Sequence, residues 1–312
     1  PRAARGRGGA RVVVARIAAP AAIAPVRRGM ARLAPGCLHC ARHRTGEERM
    51  QTSRRVLVLG ASGMIGRAIL DEARHVGRYF GREVEGIELL PASHRDRPGH
   101  VRVDYESLTT AQAWTRLLRD RRIDAVVNCV GIWSGTSEQF ERVQYIVPVA
   151  LFDACTQLGV RVVHLSALGF TADWPLPYAS TKARADRYLL EHCPTGVVLL
   201  PSLVFGSDGD SSRFFLNLAA LPLQVDFGFA TNLQPVHVRE VTRAVLAALG
   251  DESPPRSVEC AGTHPVAVPE YFDALRAGMG MKPACLRVKL PAWCGKPLFE
   301  AGELLGAHFV NR

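Results

Sequence analysis

Lysine is almost missing from this chain, with four in 312 residues beside 35 arginines. The bias, together with abundant alanine, fits a GC-rich coding sequence of bacterial type, so the expected setting is cytoplasmic, with a mitochondrial one as the alternative. Long apolar runs are missing too. No stretch of about 18 consecutive apolar residues occurs, which excludes a bilayer-spanning helix of ordinary length. No serine precedes Ser53, so the arginine-rich start lacks the serine content of a mitochondrial transit peptide. Acids are scarce in the same stretch: residues 1–49 hold 11 Arg against Glu47 and Glu48 alone. That segment therefore carries nine of the ten net positive charges, and residues 50–312 are close to neutral. A basic nucleic-acid surface on the folded part loses its footing, and no nucleic-acid partner is expected.

The eight cysteines are scattered, and no apolar signal region precedes them, which points to free thiols in a reducing compartment. Cys37, Cys40 and His43 have half the spacing of a zinc site, but no second pair follows at a suitable distance, so no metal is expected. Residues 1–53 are dominated by Arg, Ala, Gly and Pro without a hydrophobic period, and read as a disordered basic extension ahead of a natural start at Met50. The chain stops after Leu286 to Arg312 without a clear finishing element, which reads as a C-terminal truncation.

From Arg54 onward, short continuous apolar runs alternate with helical stretches. The runs are Arg55 to Leu59, Val84 to Leu90, Val101 to Val103, Ala125 to Cys129, Val160 to Leu165 and Val197 to Leu200, the kind buried on both faces of a parallel sheet. Between them lie helices from Met64 to about His75, Thr109 to about Arg119, Ser137 to Leu158 and Pro177 to His192. Such alternation predicts an α/β fold, a Rossmann-type doubly wound parallel sheet. The nucleotide-binding domain is expected over 54–205, followed by a smaller substrate-side region over 206–312 that is interleaved with it.

The first strand runs directly into Gly60-Ala61-Ser62-Gly63-Met64-Ile65-Gly66 and then a helix, the context that the dinucleotide fingerprint requires. The first glycine permits the tight turn, the second lets backbone N–H groups reach a pyrophosphate, and the third lets helix pack on strand. Ser62, Met64 and Ile65 line the same loop. Asp104 follows the third short strand, where a carboxylate accepts from an adenine amine or is simply solvated. Asn128 to Gly131 ends the fourth strand, and Gly131 allows close approach of a ribose. Glu88 stands 22 residues after Gly66, near where an acid bonds the adenine ribose 2′-hydroxyl and repels a 2′-phosphate, whereas Arg95 and Arg97 would bind that phosphate. The cofactor is NAD or NADP, with a lean to NAD.

Tyr178-Ala179-Ser180-Thr181-Lys182 opens a helix, so phenol and ammonium stand one turn apart on one face. A nearby cation favours the phenolate and brings it towards the range for proton exchange with a carbonyl or alcohol. With six Tyr and four Lys, such a pair arises by chance in roughly 8% of sequences of this length. Ser166 ends the fifth strand 12 residues before Tyr178, at the ligand edge, either orienting a substrate or capping local backbone.

Taken in order, the glycine loop, Asn128 to Gly131, Ser166 with Tyr178 and Lys182, and Pro201 to Gly206 resemble an extended or atypical short-chain dehydrogenase/reductase. Phe140 to Val143, Ala150 to Cys155, His164 to Gly169 and Gln234 to Val238 bring the resemblance to the branch of NAD-dependent epimerase/dehydratase-like proteins and the nucleotide-binding accessory subunit of respiratory complex I. It covers about residues 54–250. The resemblance implies a bound NAD(P)(H), with Pro201 and Lys182 beside it, and Ser166/Tyr178/Lys182 as the catalytic set. Leu59 and Leu200 depart from the Thr and Arg usual in extended enzymes. Two functions follow: an NAD(P)-dependent oxidoreductase or epimerase acting on a small molecule of unknown identity, or an inert nucleotide-binding assembly protein associated with a respiratory complex or membrane.

Overall fold

Residues 13–14, 54–79, 87–206, 208–226 and 232–289 are described by the computed structural model of the chain. Arg54–Leu59 forms the central strand β2, and Val56 to Leu59 are buried on both faces, as a continuous apolar run demands. A two-residue strand, β1 (Val13–Val14), precedes it in sequence. The glycine loop leads into α1 (Met64–Tyr79), then β3 (Ile87–Ser93), β4 (Val101–Arg102), α2 (Ala111–Asp120) and β5 (Ala125–Asn128). Thr110 caps α2 by accepting the Ala113 N–H.

The strand expected over Val84 to Leu90 is found at Ile87–Ser93, and residues 84–86 lie outside the described residues. Pro91 interrupts the strand chemically but not physically. β4 reaches only Ala92 and Ser93, so at Pro91 the strand has a neighbour on the β2 side alone, where a missing donor is tolerated.

The long helix expected from Ser137 to Leu158 is divided into α3 (Ser137–Glu141), a π-helical turn (Arg142–Ile146) and α4 (Val147–Leu158). Pro148 has no N–H for the carbonyl four residues back, and the helix widens just before it. A capping box of Thr136 and Gln139 starts this segment, and Gly159 at φ +66° ends it. Then come β6 (Arg161–Leu165), α5 (Pro177–His192), β7 (Gly196–Pro201), β8 (Val204–Phe205), α6 (Asp210–Ala220), β9 (Leu223–Asp226), β10 (Asn232–Leu233), β11 (Val236–His237), α7 (Val238–Gly250), β12 (Ser257–Cys260), β13 (Val266–Ala267), α8 (Val268–Gly278) and β14 (Leu286–Lys289).

The main sheet is parallel throughout, in the order β1-β12-β7-β6-β5-β2-β3-β4. The order reverses at β2, with β3 on one side and β5 on the other, so the switch point lies directly beyond Leu59 and Asn128. Two apolar clusters cover the sheet. One holds Trp114, Leu118, Leu151, Phe152 and Leu189 from α2, α4 and α5; the other holds Ile69, Val241, Val245 and Leu249 from α1 and α7. Helix α7 and strand β12 thus serve the main sheet although they follow residue 206.

The short strands and α6 and α8 form a separate cluster around Tyr271, Leu275 and Ala219. Buried Arg276 ties α8 to α6 by donating to the carbonyls of Ala219 and Leu221, at 2.6 and 2.9 Å. Val13–Val14 lies beside Val258–Glu259 at the sheet's edge, a strand that the composition of the first 49 residues did not suggest. Cys37, Cys40 and His43 lie outside the described residues, as do 290–312.

Candidate functional site

Gly60 adopts φ +74°, and a Cβ there would lie 2.9 Å from the Cys129 carbonyl, so only glycine lets the loop turn this close to the end of β5. The Gly63 N–H donates to the Gly60 carbonyl at 3.0 Å, closing the turn. A Cβ at Gly66 would strike the Gly60 carbonyl oxygen and come within 2.7 Å of the Ala61 Cα, so the third glycine is what seats α1 against β2. Ser62 and Gly63 are exposed at the mouth, where the N-terminal N–H groups of α1 are free to meet an anion. Met64 leans away from the loop and lays its sulfur against Gly206 and Gly209, while Ile65 packs partly into the α1–α7 core. Arg67 bridges the Ser62 carbonyl and Asp208.

Across the switch point, Gly131 faces Lys182: a Cβ on that glycine would sit 3.3 Å from the Lys182 Nζ. Lys182 itself is 7% exposed. Gly60 thus packs on the Cys129–Val130 backbone and Gly131 on Lys182, along the sheet edge that the N-terminus of α1 also faces, so these residues could hold a dinucleotide with its pyrophosphate at α1 and its second ribose at Lys182. Asn128 is fully buried and committed to the protein: its amide nitrogen lies 3.2 Å from both the Tyr105 hydroxyl and the His164 Nδ1, and its oxygen accepts the Val130 N–H. These contacts shape the exit of β5. Pro201 ends β7 with its carbonyl taken by the Leu168 N–H. Asp104 is exposed at the same edge just past β4.

The structure gives three of the expected residues particular surroundings. Glu88 is paired with Arg55, at 3.1 Å, at the amino end of β3, the opposite edge of the sheet from the glycine loop. Counting 22 residues from Gly66 placed it near a ribose, but β3 continues five residues further, and its carboxyl end is Ser93. Tyr178 stands between Phe140 and Phe170 in edge-to-face contacts of 5.9 and 5.5 Å, and burial pushes its phenol upward, without any lowering contribution from Lys182. The Ser166 hydroxyl donates to the Asp186 Oδ2 at 2.5 Å.

Asp186, His164 and Gln144 were missed. Asp186 follows Lys182 by four residues, a spacing readable from sequence. His164 points inward from β6, 3% exposed, with Nε2 3.6 Å from the Asp186 Oδ1. Gln144, on the π-helical turn, donates to the Ile132 carbonyl at 2.6 Å and accepts from Thr181, so it fastens the loop after Gly131 to α5. No sequence signal marks it, because its place depends on the widened helix. A cavity of about 510 Å³ is lined by Phe205, Leu216, Val236, His237, Tyr271 and Met279. Among the described residues there is no cluster of three metal-ligating side chains, and no helix long and apolar enough to cross a membrane.

The sequence model of the NAD dependent epimerase/dehydratase family matches residues 56–261. The chain belongs to that family. This epimerase/dehydratase-family member is 27% identical over 207 residues to "NADH dehydrogenase [ubiquinone] 1 alpha subcomplex subunit 9, mitochondrial" of Mus musculus, covering 62% of this chain and 52% of that protein. It spans about half the length of the curated relatives it matches. Among solved structures it resembles UDP-N-acetylglucosamine 4-epimerase from Bacillus cereus, with a TM-score of 0.61, 15% identity, and coverage of 77% of this chain and 86% of that one. It also resembles dTDP-4-dehydrorhamnose reductase from Bacillus anthracis in complex with NADP, with a TM-score of 0.60, 15% identity, and coverage of 76% and 85%. At these identities the likeness establishes a shared Rossmann-like fold.

Proposed function

We propose that this family member holds a nicotinamide dinucleotide, NADP(H) in preference to NAD(H), and serves as a nucleotide-stabilised subunit of a larger respiratory-type assembly. The observation that carries binding is the convergence of the Gly60–Gly66 loop, Gly131 and Lys182 on one sheet edge at the switch point. The preference rests on the carboxyl end of β3. Ser93 is followed there by exposed His94, Arg95 and Arg97, while Asp96 is paired with Arg102 at 3.3 Å. A 2′-phosphate would meet cations there, and Glu88 is too far away to repel it.

The assembly role is supported by the mitochondrial complex I subunits among the relatives, which also favour a mitochondrial setting over a cytoplasmic one. The resting chemistry of the site agrees: Ser166 is committed to Asp186, and the Tyr178 phenol is raised rather than lowered. A bound nucleotide stabilises such a subunit by mass action without turnover.

A second reading, an oxidoreductase or epimerase, is favoured by Tyr178 and Lys182 one turn apart on α5. In that reading the dinucleotide supplies hydride transfer, Tyr178 exchanges a proton at its phenol oxygen with a carbonyl or alcohol, and Lys182 holds the ribose. The apolar cavity beside Phe205 would take a small molecule with an apolar part.

Fluorescence titration of the full chain with NADPH and NADH tests the proposal. Tighter binding of NADPH, with a nicotinamide that stays inert towards a broad panel of carbonyls, alcohols and nucleotide sugars, is the expected result. Any turnover of bound nicotinamide moves the assignment to the second reading, and absence of binding to either nucleotide overturns both.

A further inference from the structure

Tyr178, Lys182 and Asp186 occupy positions i, i+4 and i+8 of α5 and share a face. Asp186 borders the polar cluster behind the site, its side chain 14% exposed beside the more deeply buried His164, Ser166 and Lys182. Its Oδ2 accepts the Ser166 hydroxyl at 2.5 Å. Its Oδ1 has no hydrogen-bond partner and faces the Nε2 of His164, itself unpartnered, at 3.6 Å. The tautomer of His164 follows from Asn128. Since the Asn128 oxygen already accepts the Val130 N–H, its NH₂ is what meets the His164 Nδ1; that nitrogen must accept, and Nε2 carries the proton toward Asp186.

We propose that Asp186 is a positioning residue for Lys182: a nearly buried carboxylate, held by Ser166 and faced by the His164 N–H, supplies the counter-charge that keeps Lys182 an ammonium beside Gly131.

The surrounding charges single out Asp186 for this task. Burial drives Lys182 below the ordinary lysine range, and Asp186, followed by Cys129, drives it back up. Burial pushes the Cys129 thiol up to about 12, so at neutral pH it is uncharged. Burial and Lys182 hold His164 down at about 3, so it too is neutral. Asp186 is raised by burial to about 6, with the Ser166 hydrogen bond and Lys182 opposing the rise, so it is ionised at pH 7. Of the other charged or titratable groups on α5, Arg187, Glu191 and His192 are exposed. Arg184 is clamped by Glu141 of α3 and stacks on Tyr145, and Tyr188 bonds Asp153 of α4. Without Asp186, burial alone would favour a neutral amine at Lys182, which loses both a donor and the attraction to a nucleotide phosphate.

The scarcity of lysine makes a direct test practical. Full-length protein carrying ¹³Cε-labelled lysine gives four side-chain signals, and the one lost in Lys182→Arg is Lys182. Its chemical shift is followed from pH 5 to 11 in the nucleotide-free wild type, Asp186→Asn and Asp186→Glu. The expected result is a Lys182 midpoint lowered by about one pH unit or more in Asp186→Asn and largely restored in Asp186→Glu. An unchanged midpoint in a folded Asp186→Asn protein overturns the proposal.

Should Asp186→Asn fail to fold, Ser166→Ala replaces it. The Lys182 signal of the wild type then shows a minor inflection near pH 6 from Asp186, which moves to higher pH once the Ser166 hydrogen bond is gone. No inflection in either protein overturns the proposal. The dinucleotide reading on which the role rests is measured separately: NADPH affinity should fade on the alkaline side in step with the Lys182 midpoint. A chain that shifts its Lys182 midpoint but binds no nucleotide keeps the pairing and loses the cofactor.

Discussion

Ser166, at the end of β6, and Asp186, on α5, are joined by a 2.5 Å hydrogen bond from hydroxyl to carboxylate. The link ties the end of a sheet strand to the helix that carries Tyr178 and Lys182. The phenol of Tyr178 is left among Phe140 and Phe170 without a polar partner in this group. In the proposed readings, cofactor binding would rest on Gly63 and Lys182 and proton exchange on Tyr178, so the two can be tested apart.

Gly63→Asp should remove nucleotide binding, weakening NADPH affinity by about a hundredfold or more while the protein still folds. The new Cβ would come 3.3 Å from the Gly60 carbonyl oxygen, a contact that small shifts relieve, but the carboxylate would oppose the pyrophosphate at the N-terminus of α1. Unchanged affinity in a mutant with native circular dichroism would sink the site.

Arg95 reports on the choice between nucleotides. It is exposed past the end of β3, and its backbone N–H is held by the Ser93 hydroxyl at 3.2 Å, so a substitution leaves the turn intact. Arg95→Glu should weaken NADPH binding by about tenfold, the equivalent of roughly 1.4 kcal/mol, and leave NADH binding level or improved. Equal losses for the two nucleotides would mean that Arg95 does not meet the 2′-phosphate.

Tyr178→Phe removes one hydroxyl and no ring contact. In the assembly reading it alters stability by at most about 0.5–1.5 kcal/mol and leaves nucleotide affinity alone, with no redox change of bound nicotinamide in either protein. If wild-type protein oxidises or reduces its nicotinamide with any panel compound and the Phe variant loses that turnover, Tyr178 is the proton-exchanging group of an enzyme.

Acid stability carries a signature of the buried cluster. His164 titrates near 3 in the fold against an ordinary value of 6.5, so the stability it contributes is complete above pH 6.5 and is lost as pH falls towards 3. Asp186 acts in the opposite sense. Its value is raised from 3.8 to about 6, so its protonation favours the fold as pH drops through that window and offsets part of the histidine loss. Denaturant melts from pH 7 to 4 should show a modest net decline for the wild type, a steeper one for Asp186→Asn and a flatter one for His164→Asn. Parallel slopes in all three proteins would rule out this pair as the source of the acid sensitivity.

The sequence by itself determined the alternation of elements and the binding loop. Continuous apolar runs such as Val56 to Leu59, alternating with amphipathic helices, point to the interior of a parallel sheet, and Gly60, Gly63 and Gly66 make a local, short-range constraint that spacing records faithfully. The i, i+4 relation of Tyr178 and Lys182 is equally local. Tertiary structure alone decided where β3 ends, and so that Glu88 belongs to the far edge and Arg95 to the near one, because the strand's register against Arg55 and Val58 is set by pairing over 33 residues. It alone turned Ser166 toward Asp186 and buried His164 beside that carboxylate, since a side chain's partner is chosen by what the packed elements bring next to it. It alone raised the Tyr178 phenol, because burial desolvates it while the Lys182 ammonium faces Gly131.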